Sequence, residues 1–197
     1  EEKAKSQNNT KKMIFETIIS TIDKNGNVNF SPFGIKKTDN FIFISPYVPS
    51  KSLNNLKETS CAVVNYTTSS LDFVKCIIGK KKFRIKKCKF IKCFFMENCI
   101  CYDEVVVVGF VDDKVRPEFK CKIVGSKNLK KFQGFNRAQS SIIEACILAS
   151  RVKMIKKNKI IKDLNHLEIA ITKTAGIEEK KAWRLINDYI TNELSRL

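Results

Sequence analysis

In the first part of the chain, successive residues are expected to point to alternate faces of a sheet, a pattern typical of β-strands. Residues 13–22 (MIFETIISTI) place apolar side chains on both faces, and residues 23–26 (DKNG) supply the positive φ angles that a hairpin turn needs. A second predicted strand then runs into residues 31–34 (SPFG). Because Pro32 has no N–H, we expect regular pairing to stop there or the strand to lie at an edge. Backbone groups left free at such a break are available to a planar ligand.

Short strands and few helices follow up to about residue 128. We predict a helix over residues 50–59, with Ser50 as its N-cap and Leu53 and Leu56 facing the core. Residues 71–78 predict a second short helix. Strands are expected at residues 41–45, 61–67, 90–102, 104–111 and 115–124. This spacing predicts an antiparallel barrel or sandwich over residues 13–128.

The last part of the chain has helical periodicity. Helices are predicted at residues 138–155, 160–174 and 177–197, with Gly176 as the residue that ends the second of them. A Lys/Gly/Asn-rich link at residues 126–135 separates the two parts. We therefore expect a disordered tail over residues 1–12, a β-domain over 13–128 and a helical subdomain over 136–197.

The composition is compatible with a packed protein that is not membrane-bound. Of the 197 residues, 43% are hydrophobic, yet no apolar run reaches membrane-spanning length. The N-terminal residues lack the apolar core of a secretory signal, so we expect a cytoplasmic location.

The net charge of +17 admits two interpretations. It is consistent with an anionic partner, such as nucleic acid or a phosphorylated ligand. It is also consistent with the abundance of Lys, Asn, Ile and Phe that an A/T-rich genome produces. The densest run, KKKFRIKKCKFIK at residues 80–92, is either a solvated face or a groove for RNA.

The eight cysteines predict neither disulfides nor a metal site. None form a Cys-x-x-Cys pair, and His166 is the single histidine. Most lie among Ile, Val and Phe, so we interpret them as small buried apolar residues. We find no catalytic triad, no general acid or base, and no glycine-rich nucleotide motif.

Three polar features are candidate binding sites. Ser50, Lys51 and Ser52 open a predicted helix, where N–H groups and hydroxyls can hold a phosphate; the alternative is an ordinary cap. Asn136 and Arg137 open a later helix, where the arginine either binds an anion or lies on the surface. Asn65 interrupts an apolar strand, where it meets a ligand or marks the outer face.

Four sequence blocks together resemble one family. They are MIFETIISTIDKNGNVNFSPFGI, PSKSLNNLKETSCAVVNYT, GFNRAQSSIIEACILASR and KTAGIEEKKAWRLINDYI, and they span residues 13–190. The resemblance is to a mostly archaeal family, classed as a domain of unknown function, of FMN-binding split-barrel proteins with a helical C-terminal region. It implies a flavin-reductase-like split β-barrel of the α+β class, a homodimer, and FMN near the subunit interface.

The resemblance also implies which residues contact the cofactor. The strand segment beside the flavin ring would comprise Asn29, Ser31, Pro32, Phe33, Gly34 and Ile35. The ribityl chain and phosphate would be held by Ser45, Ser50, Lys51, Ser52 and Asn55. Asn65 would lie close by, and Asn136 and Arg137 match an Asn-Arg-Ala motif that completes the pocket. Phe33 and Lys51 depart from the residues common in relatives.

Three functions follow as hypotheses. The first is an FMN-dependent oxidoreductase whose substrate and electron donor the sequence does not identify. The second is a module that binds FMN or a pterin without turnover. The third is a basic protein that binds nucleic acid through residues 80–92.

Overall fold

The computed structural model describes residues 13–196; the predicted tail 1–12 and the last residue, Leu197, lie outside the described residues. The strands are β1 (Ile14–Ile22), β2 (Val28–Lys37), β3 (Phe41–Ile44), β4 (Cys61–Tyr66), β5 (Ile85–Lys87), β6 (Phe94–Met96), β7 (Cys101–Val111) and β8 (Glu118–Asn128). The helices are α1 (Lys51–Thr59), α2 (Ser70–Ile77), α3 (Arg137–Ser150), α4 (Lys157–Thr174) and α5 (Ile177–Leu194).

Six antiparallel strands close a barrel in the order β1-β2-β3-β8-β7-β4. The remaining two, β5 and β6, form a separate hairpin between β4 and β7 along the chain. The helices α3–α5 follow the last strand. The predicted α+β fold, a β-barrel with a helical C-terminal region, is therefore confirmed.

Strands β1 and β4 are buried on both faces. Ile19 and Val64 point into the barrel, where Leu53 and Leu56 of α1 join the same apolar cluster. Ile18 and Val63 point the other way, into a second cluster formed with α2–α5 and the hairpin. Because side chains alternate along a strand, this two-sided burial requires residues that can be buried on both faces. Strand β4 is almost wholly apolar, whereas β1 also buries Thr17, Ser20 and Thr21.

Strand β2 runs unbroken through Pro32, so the predicted interruption at this residue is wrong. Pro32 faces Ile18 in a continuous register with β1. The expectation of an edge is met instead, because β3 pairs with β2 only at Lys36 and Lys37. Within residues 13–196 the outer edge of β2 over 28–35 has no strand partner. A proline is compatible with such an edge because no ladder donor is lost there.

Residues 80–96, here called the lysine-rich hairpin, are fixed to the barrel by one buried carboxylate. Glu104 of β7 is 1% exposed and accepts hydrogen bonds from the backbone N–H groups of Lys89 (3.0 Å), Phe90 (2.7 Å) and Ile91 (3.1 Å). A Cβ at Gly125 would overlap the Phe90 ring, so a larger residue there would require this ring to shift. The strand predicted at 90–102 is not continuous: residues 94–96 form β6, residues 97–100 turn, and residues 101–102 begin β7.

Two predicted helix ends are corrected by the structure. Gly176 does not end α4 in a left-handed conformation; its φ is −80° and it is the N-cap of α5. Its N–H donates to Glu179 Oε2 at 3.2 Å, a capping arrangement that favours the start of a helix. The helix predicted over 138–155 ends at Ser150, and turns occupy the following residues.

All eight cysteines are free thiols, and most are buried. Burial raises the pKa of Cys76, Cys93 and Cys121 to about 12, so these thiols stay protonated and unreactive at neutral pH. Across residues 13–196 no three His, Cys, Asp or Glu side chains come together as a metal-binding group. No helix in the same range is long and apolar enough to cross a membrane.

We predict that Glu104→Ala lowers the free energy of unfolding by roughly 2–4 kcal/mol, because three backbone donors lose their common acceptor. Chemical denaturation measures the change. Glu118→Ala is the matched control: its ion pair with Lys36 (3.2 Å) is partly exposed, so its loss should cost no more than about 1 kcal/mol. Equal effects of the two substitutions would contradict the proposed role of Glu104.

Candidate functional site

A compact polar cluster lies where β2 passes the start of α1. The Asn29 Nδ2 amide donates to Ser31 Oγ at 3.2 Å and to Ser52 Oγ at 3.0 Å, and the two hydroxyls are 3.2 Å apart. Lys81 Nζ donates to Asn29 Oδ1 at 3.4 Å. We call Asn29, Ser31, Ser52 and Lys81 the Asn29 cluster. It brings together three residues that the sequence predicted and one that it did not single out.

The first turn of α1 adds backbone donors to this cluster. Ser50 is the N-cap, as predicted, and its hydroxyl accepts from the Leu53 N–H at 3.2 Å. The N–H groups of Lys51 and Ser52 make no hydrogen bond within the described part of the chain. Free N–H groups at a helix N-terminus attract anions, and the Lys51 side chain adds positive charge.

Helix α1 is held in place independently of any ligand. Asn55 Nδ2 donates to Thr21 Oγ1 of β1 at 3.0 Å, and Thr59 Oγ1 donates to the Ile22 carbonyl at 3.1 Å. Asn55 is buried at 2% exposure, so it fixes the helix rather than lining its open end. The donors of the first turn are thereby preorganised.

Lys81 reaches the cluster because the lysine-rich hairpin packs against β2. The rings of Phe83 and Phe30 meet edge to face, with centroids 4.9 Å apart. No signal in the sequence selects Lys81 from its neighbours, because Lys80, Lys81 and Lys82 are chemically identical. Only the packing of Phe83 determines which of them turns toward Asn29.

The unpaired edge of β2 continues from the cluster. Ser31, Pro32, Phe33 and Gly34 are partly buried and lie along it, whereas Ile35 is fully buried in the barrel interior. The Phe33 carbonyl accepts from Thr17 Oγ1 at 3.0 Å. The Asn29 cluster therefore adjoins an edge with unpaired backbone groups.

Two residues predicted for this site lie elsewhere. Ser45 donates weakly to Glu118 Oε2 (3.4 Å), and its carbonyl accepts from Arg116 Nε. The Asn65 amide is already satisfied within the fold: it donates to the Ile18 carbonyl and Ser20 Oγ, and it accepts from the Met96 N–H at 2.8 Å. Asn65 is fully buried, so it joins β1, β4 and β6 rather than meeting a ligand or solvent.

Asn136 and Arg137 lie at the start of α3, away from β2. Asn136 caps the helix: its Oδ1 accepts from the N–H of Ala138 at 2.9 Å, and its Nδ2 donates to the Thr174 carbonyl at 3.0 Å. Arg137 is exposed, and its guanidinium makes no contact with the described residues. The structure does not join this pair to the Asn29 cluster within one chain.

A second polar network, centred on the Asp103 carboxylate, links strands of the barrel. Lys37 Nζ donates to Asp103 Oδ2 at 2.6 Å, and Tyr66 OH and Ser126 Oγ also donate to the Asp103 carboxylate. Burial and the neighbouring Asp103 raise the pKa of Tyr66 well above its usual range. The network joins β2, β4, β7 and β8. Because both oxygens of the Asp103 carboxylate already accept hydrogen bonds, this carboxylate is not available to a ligand.

Solved structures of the same fold support this architecture. An FMN-bound protein from Methanosarcina mazei, of the DUF447 family, is 20% identical and aligns over 90% of this chain and 95% of its own, with a TM-score of 0.77. Flavoredoxin from Methanosarcina acetivorans is 17% identical over 68% of this chain and 78% of its own, with a TM-score of 0.52. A Shewanella frigidimarina protein with a split barrel domain is 13% identical over 57% and 66%, with a TM-score of 0.51.

No curated protein matches the chain. Family models match both of its parts. The model described as "Protein of unknown function (DUF447) N-terminal domain" matches residues 15–130, and the one described as "Protein of unknown function (DUF447)" matches residues 136–188. The two models thus cover the barrel and the helical region in turn, and the chain belongs to the DUF447 family.

Proposed function

We propose that this protein binds FMN, with the phosphate at the Asn29 cluster and the flavin ring along the open edge of β2. The observation that carries the proposal is the set of donors left over within the described residues: the Ser31 hydroxyl, two protons of the Lys81 ammonium and the free N–H groups at the start of α1. The Asn29 amide and the Ser52 hydroxyl already donate within the cluster and orient it. Such a set suits a phosphate and has no acidic side chain among its members. The FMN-bound relative from Methanosarcina mazei supports FMN as the ligand.

The residues present fit the other parts of FMN as well. An aromatic ring, Phe33, and the backbone of residues 31–34 offer an apolar wall and hydrogen-bonding groups to the ring edge. Ser50 and Lys51 lie next to the cluster on the same helix start. Bound FMN would supply hydride and electron transfer, while the protein orients the ring and binds its phosphate.

We propose further that the bound flavin turns over, which makes the protein an oxidoreductase. The alternative is a module that holds FMN or a pterin without reaction. We expect purified, FMN-loaded protein to lose its visible flavin absorbance when NADH or NADPH is added in the absence of oxygen. Reduction by dithionite alone, with no response to NADH or NADPH, would favour the non-catalytic module.

We also propose that the protein is a homodimer. Exposed apolar side chains at the start of β1 and the end of β7 support an interface there: Ile14 and Phe15, and Val108, Phe110 and Val111. Sedimentation equilibrium should give twice the chain mass of 22.6 kDa. A mass of one chain at micromolar concentration would exclude the dimer. A cytoplasmic location, an archaeal source and nucleic-acid binding through residues 80–92 remain predictions.

Lys81→Ala should weaken FMN binding about tenfold or more, because a charged hydrogen bond to phosphate contributes roughly 1.5–3 kcal/mol. Riboflavin, which lacks the phosphate, should bind this variant as it binds the wild type. Quenching of flavin fluorescence measures both affinities.

Lys80→Ala is the matched control, since its side chain is exposed and outside the cluster; its FMN affinity should stay within about twofold of wild type. Ser31→Ala/Ser52→Ala should show the same selective loss of FMN over riboflavin as Lys81→Ala. If riboflavin and FMN weaken equally in both cluster variants, the phosphate does not lie at the Asn29 cluster.

A further inference from the structure

The open edge of β2 offers one outward backbone N–H over residues 31–34. The Thr38 N–H donates to the Phe41 carbonyl at 2.8 Å and closes the hairpin between β2 and β3. Because the backbone groups of an antiparallel strand alternate in direction, the even-numbered residues of β2 face β3 or, where β3 does not pair, the open edge. Pro32 has no N–H, so the outward N–H of this segment is that of Gly34.

The carboxyl group of Glu16 lies over Gly34. The two residues are directly opposite each other in the register of β1 and β2. A Cβ at Gly34 would lie 3.2 Å from Glu16 Oε1 and 2.8 Å from Ile14 Cγ2, so these two side chains take the space that a larger residue would need. Glu16 makes no ion pair or hydrogen bond within the described residues. An unpaired carboxyl and an outward N–H thus meet at one residue of the open edge.

Two charged groups from other elements act on this carboxyl. Glu144 belongs to α3, and Arg116 lies between β7 and β8, where its Nε donates to the Ser45 carbonyl at 3.1 Å. Loss of surrounding water raises the pKa of Glu16, the Glu144 carboxylate raises it further, and Arg116 lowers it in part. A raised pKa keeps the proton on the carboxyl closer to neutral pH, as a general acid requires.

We propose that Glu16 donates a proton to the acceptor that is reduced at the bound flavin. This inference rests on the proposed FMN site, because it needs the flavin ring along the edge that includes Gly34. The acceptor takes a hydride, with both electrons, from flavin that NADH or NADPH has reduced, and one of its oxygens becomes negatively charged. The Glu16 O–H bond breaks, and an O–H bond forms on that oxygen. Glu16 is exposed, so its carboxylate regains a proton from solvent.

The visible absorbance of the FMN-saturated protein tests whether Glu16 lies beside the ring. Between about pH 4 and pH 8 the flavin band of the wild type should shift with one ionisation, because a charge forms near the ring, and Glu16→Gln should abolish this shift. The midpoint should move to lower pH in Glu144→Gln, which removes a negative charge, and to higher pH in Arg116→Gln, which removes a positive one. If the shift persists in Glu16→Gln, another group ionises there and the proposal is wrong.

Stopped-flow oxidation of the reduced, FMN-loaded protein tests proton donation itself. Menadione, a quinone, takes up a hydride and a proton, whereas ferricyanide takes up an electron alone. Glu16→Gln should slow oxidation by menadione about 100-fold and leave oxidation by ferricyanide within about threefold of the wild-type rate. The wild-type rate with menadione should fall as the pH rises above the pKa of Glu16, because less of the acid form remains. Equal slowing with both oxidants would contradict a role in proton donation.

FMN binding by the wild type separates this inference from the proposed function. If the wild type does not bind FMN, both are wrong. If FMN binds and Lys81→Ala weakens it selectively, while Glu16→Gln changes neither the spectral titration nor the menadione rate, only the role of Glu16 is wrong.

Discussion

The structure depends on the burial of β1 and β4 on both of their faces. Ile19 and Val64 belong to the barrel interior, and Ile18 and Val63 belong to the core shared with the helices and the hairpin. A shift of either strand by one residue would exchange the two sets, yet both sides would still meet apolar side chains. Asn65 specifies the register, because its buried amide is satisfied only where it meets the Ile18 carbonyl, Ser20 Oγ and the Met96 N–H. A single polar residue thus supplies specificity that the apolar pattern alone cannot.

The candidate FMN site follows from how the chain leaves this barrel. Strand β2 pairs with β3 only through its own last two residues, Lys36 and Lys37, so the rest of the outer edge of β2 stays open. The connection from β3 to β4 then contains α1, which Asn55 and the apolar Leu53 and Leu56 fix against the barrel. The Ser52 hydroxyl in its first turn consequently lies within hydrogen-bond distance of Asn29 and Ser31. Since no segment has to become ordered to form this donor set, little entropy is lost when a phosphate binds.

Local sequence signals predicted local structure well. Ser50 as a cap and Leu53 and Leu56 as core residues depend only on contacts within one helix turn and one apolar face, and the structure has all three as predicted. Two of the failures, at Pro32 and Ser45, involve partners distant in sequence, whereas the one at Gly176 is local. Pro32 does not end β2 because the missing donor faces an unpaired edge, which depends on where β3 lies. Gly176 is compatible with either a helix end or a helix start, and the Glu179 carboxylate decides between them. Nothing in the sequence shows that Ser45 would face Glu118 rather than the helix start.

The lysine-rich hairpin shows why net charge is weak evidence of function here. Its basic residues were interpreted from the sequence as one feature, a solvated face or an RNA groove. In the structure they separate by position: Lys81 turns to Asn29, Lys82 and Arg84 are exposed beside α2, and Lys86 pairs with Glu97. Glu104 fixes the hairpin backbone and thereby determines this distribution. A flexible basic segment would present these charges interchangeably to a polyanion, whereas a fixed one gives each a different neighbour. The net charge of the segment therefore does not by itself identify a partner.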